Sequence, residues 1–585
     1  MSEHLDNEEL EQRAPRRPLR IALTVLAAWG ALAVVFLVIG GLAVRDAQNH
    51  LGRAKRELAP DHLKSVEAPN AKATADSLAR AHTMFGSPVV APLKFLPVLG
   101  RQLRAIDAIA HAGNVAAEVG LDARARLRPI VAAPPTDGPA RLKAVASIRN
   151  IAHEGSSRLK KLDFGPTSHL LSPISNTRAK FAVELNRVGE LLQRADSGAA
   201  GLEKFFKGPS RYAVFVANNS EMRAGSGMLL SGGTLDVVDG EIKLGPMRSF
   251  SELPPAPNNV ALEYDFLRLW GPQAPGSDYR FVNMTPRFPT SGALLQRMWK
   301  ESGAEPVDGV LVLDPVAAVE LIKAVGRLNV DGQAVTAKNA TSLMLHDQYL
   351  QYDPKTRQQA ARRDFQGEVV QQLFEKLNAG AISPTKLGTS LGRAATGRHI
   401  LAWSSDTGIQ RAWSAVRMDG VLPDQSVMFA LQNRAGNKLD YFQKVEASAK
   451  AAVGDGGSVI DMEFVITNTV PEDEPAYIAG PVPDTLAREA GMYIGIAAID
   501  VPANAANVKL SGGDFDLVSG PDGNMQVVSQ WLELARGEKV TLKLTFSLPP
   551  GYQALSIEPS ARVPEVMWHA GKQSWTDKSA KIITW

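Results

Sequence analysis

The hydrophobic pattern is most distinctive near the start of the chain. Residues 21–44 carry no charge, and Thr24 is the one clearly polar residue among them. A helix of this length spans about 36 Å, enough to cross a hydrocarbon core of about 30 Å. A soluble helix of this length would need a polar face, and the apolar region of a signal peptide is shorter, about 7–15 residues. The pattern therefore predicts an uncleaved transmembrane helix over 21–44.

Charge around this helix predicts its orientation. Four arginines are packed directly before it: Arg13, Arg16, Arg17 and Arg20. The basic residues that follow it are spread over about twenty positions, and cytoplasmic flanks collect Lys and Arg. Residues 1–20 are therefore predicted as a cytoplasmic tail. Because no second uncharged run of spanning length follows Val44, the sequence predicts a single-pass protein held in the membrane lipid bilayer, with its bulk extracellular.

The segment after the anchor has a helical pattern. Over 45–206, apolar residues recur near 3.6-residue spacing, most clearly in RQLRAIDAIAHAGNVAAEVG, which begins at Arg101. Prolines and a glycine interrupt the pattern between 134 and 139. We predict a helical stalk or bundle here.

The periodicity changes at Tyr212, where YAVFVANN predicts a buried strand. Asp239-Gly240 between two β-like runs is a strong hairpin signal. Three alternating elements are predicted after the hairpin: a helix over 291–302, a strand over 307–313 and a helix over 316–325 ending at Gly326. A strand between crossover helices favours an α/β layered domain over 207–422, with some parallel pairing.

Strand patterns dominate the last part of the chain, 423–585. In KVTLKLTFSLP the apolar residues alternate strictly with polar ones, so that one face would be buried. Several such runs with turns at short intervals predict an antiparallel β-sandwich. The predicted fold is thus a multidomain α/β protein with an N-terminal transmembrane helix and a C-terminal β domain.

Composition narrows the functional classes. The chain of 585 residues has no cysteine, which excludes structural disulfides, Cys-ligated metals and thiol catalysis. Its net charge of +3 is too small to indicate a nucleic-acid partner. There is no H-E-x-x-H, Walker A or dinucleotide motif, and Ser226 in AGSGM lacks the frame of a nucleophile elbow.

Polar residues concentrate after the first predicted strand and in the first half of a later helix. Such strand ends hold ligands in α/β folds. The candidate ligand-binding residues are Asn219, Glu221, Arg223, Arg248, Asp353, Arg357, Arg362, Arg363 and Gln366. Arginines converging with carboxylates suit a phosphate or pyrophosphate, together with a magnesium ion. The alternative for each arginine is a solvated helix charge or a salt bridge.

The order of these segments resembles a family of single-pass bacterial envelope proteins known as domain of unknown function 4012. The resembling stretches are VANNSEMRAGSGM, FPTSGALLQRMWKESG, VDGVLVLDPVAAVELIKAVGRLNVDG and ARRDFQ, within 212–422. The anchor followed by LPVLGRQLRAIDA also looks like that family's architecture. The resemblance therefore implies an arrangement of domains, but no activity, because the function of that family is not established.

The stretch VDGVLVLDPVAAVELIKAVGRLNVDG is also similar, more distantly, to the core of LytR–CpsA–Psr proteins. Those membrane-anchored enzymes move polyprenyl-pyrophosphate-linked glycopolymers onto peptidoglycan. That resemblance implies that Arg223, Arg362 and Arg363 are catalytic and, with Arg248, grip the pyrophosphate. It also implies magnesium at Glu221 or Asp353. This sequence departs from that family at the first strand end, where Asn219 to Arg223 replace its Arg-Ser-Asp pattern.

Three functional hypotheses follow. The first is a membrane-anchored scaffold in cell-envelope assembly, which needs no cofactor and binds other envelope proteins. The alternative is a LytR–CpsA–Psr-like phosphotransferase that binds a polyprenyl-pyrophosphate glycan with magnesium. The third is a receptor for an extracellular ligand, which fits the predicted β domain but is not supported by any sequence motif.

Overall fold

The structure, a computed structural model, describes residues 16–59, 67–350, 358–380, 382–481, 486 and 489–585, with side chains described outside 16–26, 358–364 and 384. The chain forms two compact units. The first comprises Met1–Pro129 and Asn150–Gln193, and the second Ile130–Arg149 and Arg194–Trp585. The domain boundaries expected from the sequence stay predictions.

Helices open the chain, as the apolar spacing predicts: α1 (Arg16–Glu57), α2 (Pro69–Phe85), α3 (Leu99–Ala132), α4 (Gly138–Lys160) and α5 (Ser172–Lys207). The predicted transmembrane stretch lies inside α1. Within the described residues, one helix is long and apolar enough to cross a membrane, and it is this one. A small cluster centred on Ala43, Ala81 and Phe85 packs α1 against α2.

A central sheet of six strands follows: β1 (Ser210–Met222), β2 (Gly227–Val238), β3 (Glu241–Leu244), β4 (Arg248–Ser249), β5 (Gly309–Leu313) and β8 (Ile400–Ser404). Between β5 and β8 the chain forms a separate hairpin of β6 (Leu328–Val330) and β7 (Gln333–Val335). The order of the central sheet is β3-β2-β1-β5-β8, with β4 beside β2. β1 and β5 are parallel, as the strand between helices predicts. The hairpin turn also lies as predicted, since Asp239 and Gly240 both have positive φ, +48° and +80°.

Short helices flank and connect these strands: α6 (Tyr264–Trp270), α7 (Phe288–Glu301), α8 (Pro315–Val325), α9 (Ala340–Ser342), α10 (Gln348–Leu350), α11 (Gln358–Asn378), α12 (Pro384–Thr396) and α13 (Thr407–Ala415). Alternate residues of β1 serve opposite faces of the sheet. Phe215 packs toward α7, whereas Val214 and Val216 pack toward Phe205 of α5 and Trp413 of α13. The central sheet is therefore buried on both faces.

Two six-stranded sheets form the end of the chain, with a short helix α14 (Ala476–Ala479) in the connection between two of their strands. Their strands are β9 (Ser426–Asn433), β10 (Gln443–Gly454), β11 (Gly457–Asn468), β12 (Tyr493–Pro502), β13 (Ala506–Ser511), β14 (Phe515–Asp522), β15 (Met525–Leu534), β16 (Lys539–Leu548), β17 (Ala554–Glu558), β18 (Met567–Ala570), β19 (Gln573–Thr576) and β20 (Lys581–Thr584). One hydrophobic cluster, which includes Phe429, Phe464 and Phe546, joins the two sheets.

Strand pairing in these sheets departs from the purely antiparallel prediction. β17 runs parallel to β9, and β18 runs parallel to β10. The cause is the path of the chain after β16, which adds a strand to one sheet and then to the other. The remaining pairs are antiparallel, including β11 with β16, where Leu542, Leu544 and Phe546 are buried as the alternation predicts.

The strand β12 connects the C-terminal sheets to the central sheet. Tyr493, Ala497 and Ile499 face the cluster between the two C-terminal sheets. Ile496 and Ala498, on the opposite face, belong to the same cluster as Phe215 and the α7 residues. β12 is buried along its whole length, so the central sheet and the C-terminal sheets share one continuous core in the second unit.

Candidate functional site

Polar side chains meet where the carboxyl ends of β1 and β5 approach the C-terminal sheets. We name this group the polar seam; it consists of Asn219, Glu221, Arg223, Asp314, His399, Lys438, Asp440 and Arg562. Each of these residues is less than a tenth exposed. Buried polar groups are stable only when they are paired, so their partners decide what the seam can do.

The end of β1 is shaped by close backbone contact. Its register with β2 shifts between Asn218 and Met222, and pairing resumes between Met222 and Gly227. A Cβ atom on Gly227 would overlap the backbone of Asn218, and one on Gly225 would lie 2.9 Å from the carbonyl oxygen of Thr285. The glycines of AGSGM therefore permit the bulge that turns Asn219, Glu221 and Arg223 into the seam.

Gly227→Ala is expected to destabilise the second unit by about 1–3 kcal/mol, because the added methyl overlaps main-chain atoms that cannot move aside. The urea midpoint of unfolding measures this effect. Gly392→Ala on α12 is a matched control, since nothing lies within 4 Å of its Cβ position. The control is expected to leave the midpoint unchanged or to raise it slightly. Equal midpoints for the two variants would contradict the proposed role of Gly227.

Glu221 and Lys438 form an ion pair inside the seam. Their Oε2 and Nζ atoms are 2.6 Å apart, and both side chains are less than a tenth exposed. Asn218 Nδ2 donates to the same carboxylate oxygen at 3.1 Å. The Lys438 ammonium also lies over the rings of Tyr349 and Tyr477, 5.6 and 5.2 Å from their centroids. The predicted metal ligand Glu221 is thus occupied by a cation of the chain itself.

Asp314 connects the end of β5, the start of α8 and the residue before β8. Its Oδ1 accepts from the backbone N–H groups of Val316 and Ala317, which caps α8. Its Oδ2 accepts from Asn219 Nδ2 at 2.9 Å and from His399 Nδ1 at 2.7 Å. Burial opposes a charge on His399, but the Asp314 carboxylate, together with the charges of Asp577 and Glu565, outweighs burial and raises the pKa of His399 above its ordinary value.

A raised histidine pKa gives a pH dependence of stability with a defined sign. The charged His399–Asp314 pair stabilises the fold fully below the unfolded-state pKa of about 6.5, and this stabilisation is lost as the pH rises through the higher folded-state pKa. The difference in unfolding free energy between wild type and His399→Gln is therefore expected to shrink from pH 6 to pH 9. Urea titrations at both pH values measure it. A difference that is constant or grows with pH would refute the pairing.

Asp440 and Arg562 are the most buried pair of the seam. Asp440 Oδ1 lies 3.6 Å from Arg562 Nη1, and neither side chain is exposed. Asp440 Oδ2 accepts from the N–H of Met222 and from Asn433 Nδ2, at 3.1 and 2.9 Å. Burial raises the pKa of Asp440 to about 6, while Arg562 and these hydrogen bonds favour the carboxylate. The end of β1 is therefore bound to the C-terminal region by the hydrogen bond from the Met222 N–H to Asp440, whose charge is balanced by Arg562.

The Arg223 guanidinium donates to main-chain oxygens rather than facing an open site. Its Nη1 donates to the carbonyls of Met222 and Asn433, and its Nε to that of Arg280. It also lies over the ring of Phe281. Burial, followed by the nearby charge of Arg434, lowers the pKa of Arg223 to about 10. A phosphate at Arg223 would have to replace these contacts.

Of the predicted arginines, Arg223 and Arg248 have described side chains, and the structure places these two apart. Arg248 is exposed on β4, in the row of Gly232 and Phe215. That row is roughly 20 Å along β1 from the seam. Gln366 donates to the carbonyl of Met344 at 3.0 Å. Asp353 and Arg357 lie outside the described residues, as do the side chains of Arg362 and Arg363 on α11.

No group of three or more His, Asp or Glu side chains in the described part of the chain could hold a metal ion. The predicted magnesium ligand Asp353 lies outside that part. Glu221 is within it and is paired with Lys438. The described donors at the seam therefore do not fit a magnesium site.

Sequence reasoning missed several members of the seam: Asp314, His399, Lys438, Asp440 and Arg562. One of them had a local signal, because Asp314-Pro315 before an apolar helix is a typical N-cap and first-turn pair. The others come from distant parts of the chain. Met222 and Asp440, for example, are 218 residues apart in sequence.

Comparison with known proteins gives one match. Residues 207–349 match the family model described as protein of unknown function (DUF4012). No curated protein and no solved structure matches the chain. The matched range contains the β1 bulge and Asp314, and it ends before α11. The predicted resemblance to LytR–CpsA–Psr proteins is not confirmed, whereas the predicted resemblance to the DUF4012 family is confirmed over residues 207–349, which match its family model.

Proposed function

We propose that this protein is a membrane-anchored scaffold of the bacterial cell envelope rather than an enzyme. One observation carries the proposal. The carboxyl edge of the central sheet, where α/β folds bind ligands, is filled by side chains and backbone of the C-terminal sheets. In this interpretation the C-terminal sheets form a β-sandwich spacer, and the bulk of the chain lies outside the cell.

At that edge, three of the predicted ligand-binding residues contact the C-terminal region of the chain. Asn219 Nδ2 donates to the carbonyl of Ala561 at 2.8 Å. Arg223 donates to the carbonyl of Asn433, and Glu221 pairs with Lys438. A ligand would have to break these buried contacts, each of which is costly to leave unsatisfied. The same residues instead hold the central sheet against the C-terminal sheets.

A specific observation keeps the phosphotransferase as a second candidate. A cavity of about 370 Å³ lies beside α11, lined by Leu244, Pro246, Met247, Gly367, Glu368 and Gln371. Met247 directly precedes Arg248, and position 363 is one helical turn before Gly367 on the same face of α11. The cavity is thus close in sequence to two of the predicted pyrophosphate-binding arginines, away from the seam.

Binding of a polyprenyl pyrophosphate to the detergent-solubilised full chain separates the two functions. The scaffold predicts no magnesium-dependent binding, and it predicts that Arg362→Ala/Arg363→Ala restores any envelope defect of a deletion strain as well as wild type does. The matched control is Arg393→Ala/Arg411→Ala, since both residues are exposed on nearby helices. Magnesium-dependent binding that the Arg362/Arg363 variant loses and the control keeps would overturn the scaffold in favour of a pyrophosphate-binding protein, as the phosphotransferase requires.

A further inference from the structure

The apolar part of α1 has neighbours from the chain itself. Trp29 Nε1 donates to the carbonyl of Val89 at 3.1 Å. A Cβ atom on Gly40 would lie 2.9 Å from the ring of Phe85, so the two are in direct contact. The cluster around Ala43 includes Val90 and Leu103, with Phe36 and Leu37 packed against it. Residues 85–103 therefore accompany α1 along the stretch predicted to lie in the membrane.

The length of α1 limits where the bilayer surface can lie. If the surface were below Trp29, residues 21–28 alone would remain, about 12 Å of helix, which is too short to span. If the surface is at Gly40, residues 21–40 span about 30 Å, and Trp29 with its partner Val89 lies about 16 Å below the surface. An anchored α1 therefore places Val89 inside the hydrocarbon.

The accompanying segment has the composition for this position. Between His82 and Arg101 the one charged residue is Lys94. Its Nζ is 2.6 Å from Asp107, which also pairs with His82 Nδ1 at 2.7 Å. The apolar side chains point outward instead of into a core: Phe95 is 86% exposed and Val98 70%, and Leu96 and Leu99 are also exposed. Contiguous exposed apolar surface of this kind marks a contact with a membrane or partner.

The backbone of the segment is also suited to a medium without water. Unpaired N–H groups are costly in hydrocarbon. Pro88, Pro92 and Pro97 have no N–H. The N–H groups of Gly86, Ser87, Val90, Ala91, Leu93, Leu96 and Gly100 donate to carbonyls of residues 82–96. The tight turn therefore satisfies most of its own donors.

We propose that residues 85–99 form a re-entrant membrane segment beside the anchor, with Phe95, Leu96, Val98 and Leu99 in contact with lipid acyl chains. This inference rests on the proposed anchoring of α1. The segment widens the contact with the bilayer on the side that carries the bulk of the chain. It also fixes the first unit against the membrane instead of leaving it on a free tether.

Because the chain has no cysteine, single cysteines carry a polarity-sensitive fluorophore without background. The full chain is reconstituted into phosphatidylcholine–phosphatidylglycerol vesicles with the label at Val98→Cys, Leu32→Cys or Val183→Cys. The label at Leu32 is the reference for a position in the membrane anchor. The label at Val183, which is 68% exposed on α5, is the reference for a position in water. Quenching is measured with lipids spin-labelled on the acyl chain and with iodide.

The label at position 98 is expected to lose roughly half or more of its emission to acyl-chain quenchers and to resist iodide, as the label at 32 does. The label at 183 is expected to show the reverse. Acyl-chain quenching at 32 combined with iodide quenching at 98 would overturn the re-entrant segment and leave the anchor intact. Iodide quenching at both positions would overturn the anchor itself. All three positions are exposed, so the substitutions do not disturb a core.

Discussion

Replacing Asp440 by alanine is expected to lower the free energy of unfolding by about 3–5 kcal/mol, because the change leaves a buried guanidinium without its counter-charge. Arg562 and Asp440 are both fully buried, with Nη1 and Oδ1 3.6 Å apart. The change also removes the acceptor for the N–H of Met222 and for Asn433 Nδ2. Urea unfolding of the full chain in detergent at pH 8, where this carboxyl with a pKa of about 6 is ionised, measures the loss by tryptophan fluorescence.

The matched control is Asp455→Ala, because Asp455 is exposed in the turn between β10 and β11. Its cost is expected to stay within about 0.5 kcal/mol. Combining Asp440→Ala with Arg562→Met should cost less than the sum of the single changes, by roughly 0.5–3 kcal/mol, since one change removes the partner that the other leaves unpaired. Additive costs, or equal costs for Asp440 and Asp455, would show that this pair does not hold the seam together.

Local patterns in the sequence predict most individual elements of this fold. The periodicity of 316–325 corresponds to α8, which begins after the Asp314 cap and ends directly before Gly326, a residue with φ +85°. Asp239-Gly240 forms the hairpin turn, and the alternation in KVTLKLTFSLP corresponds to β16. These elements are predictable because capping, turn geometry and one-sided burial each act within a few residues.

The joining of the two sheet regions could not be predicted in the same way. β12 reads as continuously apolar because it is buried on both faces, and apolarity alone does not say which elements cover it. The contacts of the polar seam could not be predicted either, because they join residues that are far apart in sequence. Asn219 and Ala561 are in hydrogen bonding contact although they are 342 residues apart in sequence. Strand-end polar residues indicate that a partner exists, but not whether it is a ligand or another part of the chain.

The range that matches the family model, residues 207–349, contains one side of the polar seam but not the other. It contains the glycines that permit the β1 bulge and the aspartate that caps α8. It does not contain Lys438, Asp440 or Arg562, which complete the seam from the C-terminal sheets. The polar residues Asn219, Glu221 and Arg223 within this range are thus accounted for by contacts inside this chain.

Lys438→Met is expected to destabilise the second unit by about 3 kcal/mol, because it leaves the buried Glu221 carboxylate without its close cationic partner. Glu221→Gln is expected to cost less, since Lys438 keeps its position over the rings of Tyr349 and Tyr477. Urea midpoints of the two variants and of the double variant measure this asymmetry. Lys444→Met, at an exposed position of β10, should change the free energy by about 0.5 kcal/mol or less. If Glu221→Gln were the costlier change, the expected asymmetry would be wrong. If Lys438→Met were no costlier than Lys444→Met, Lys438 would not hold Glu221 in the fold, and the scaffold would lose its main support.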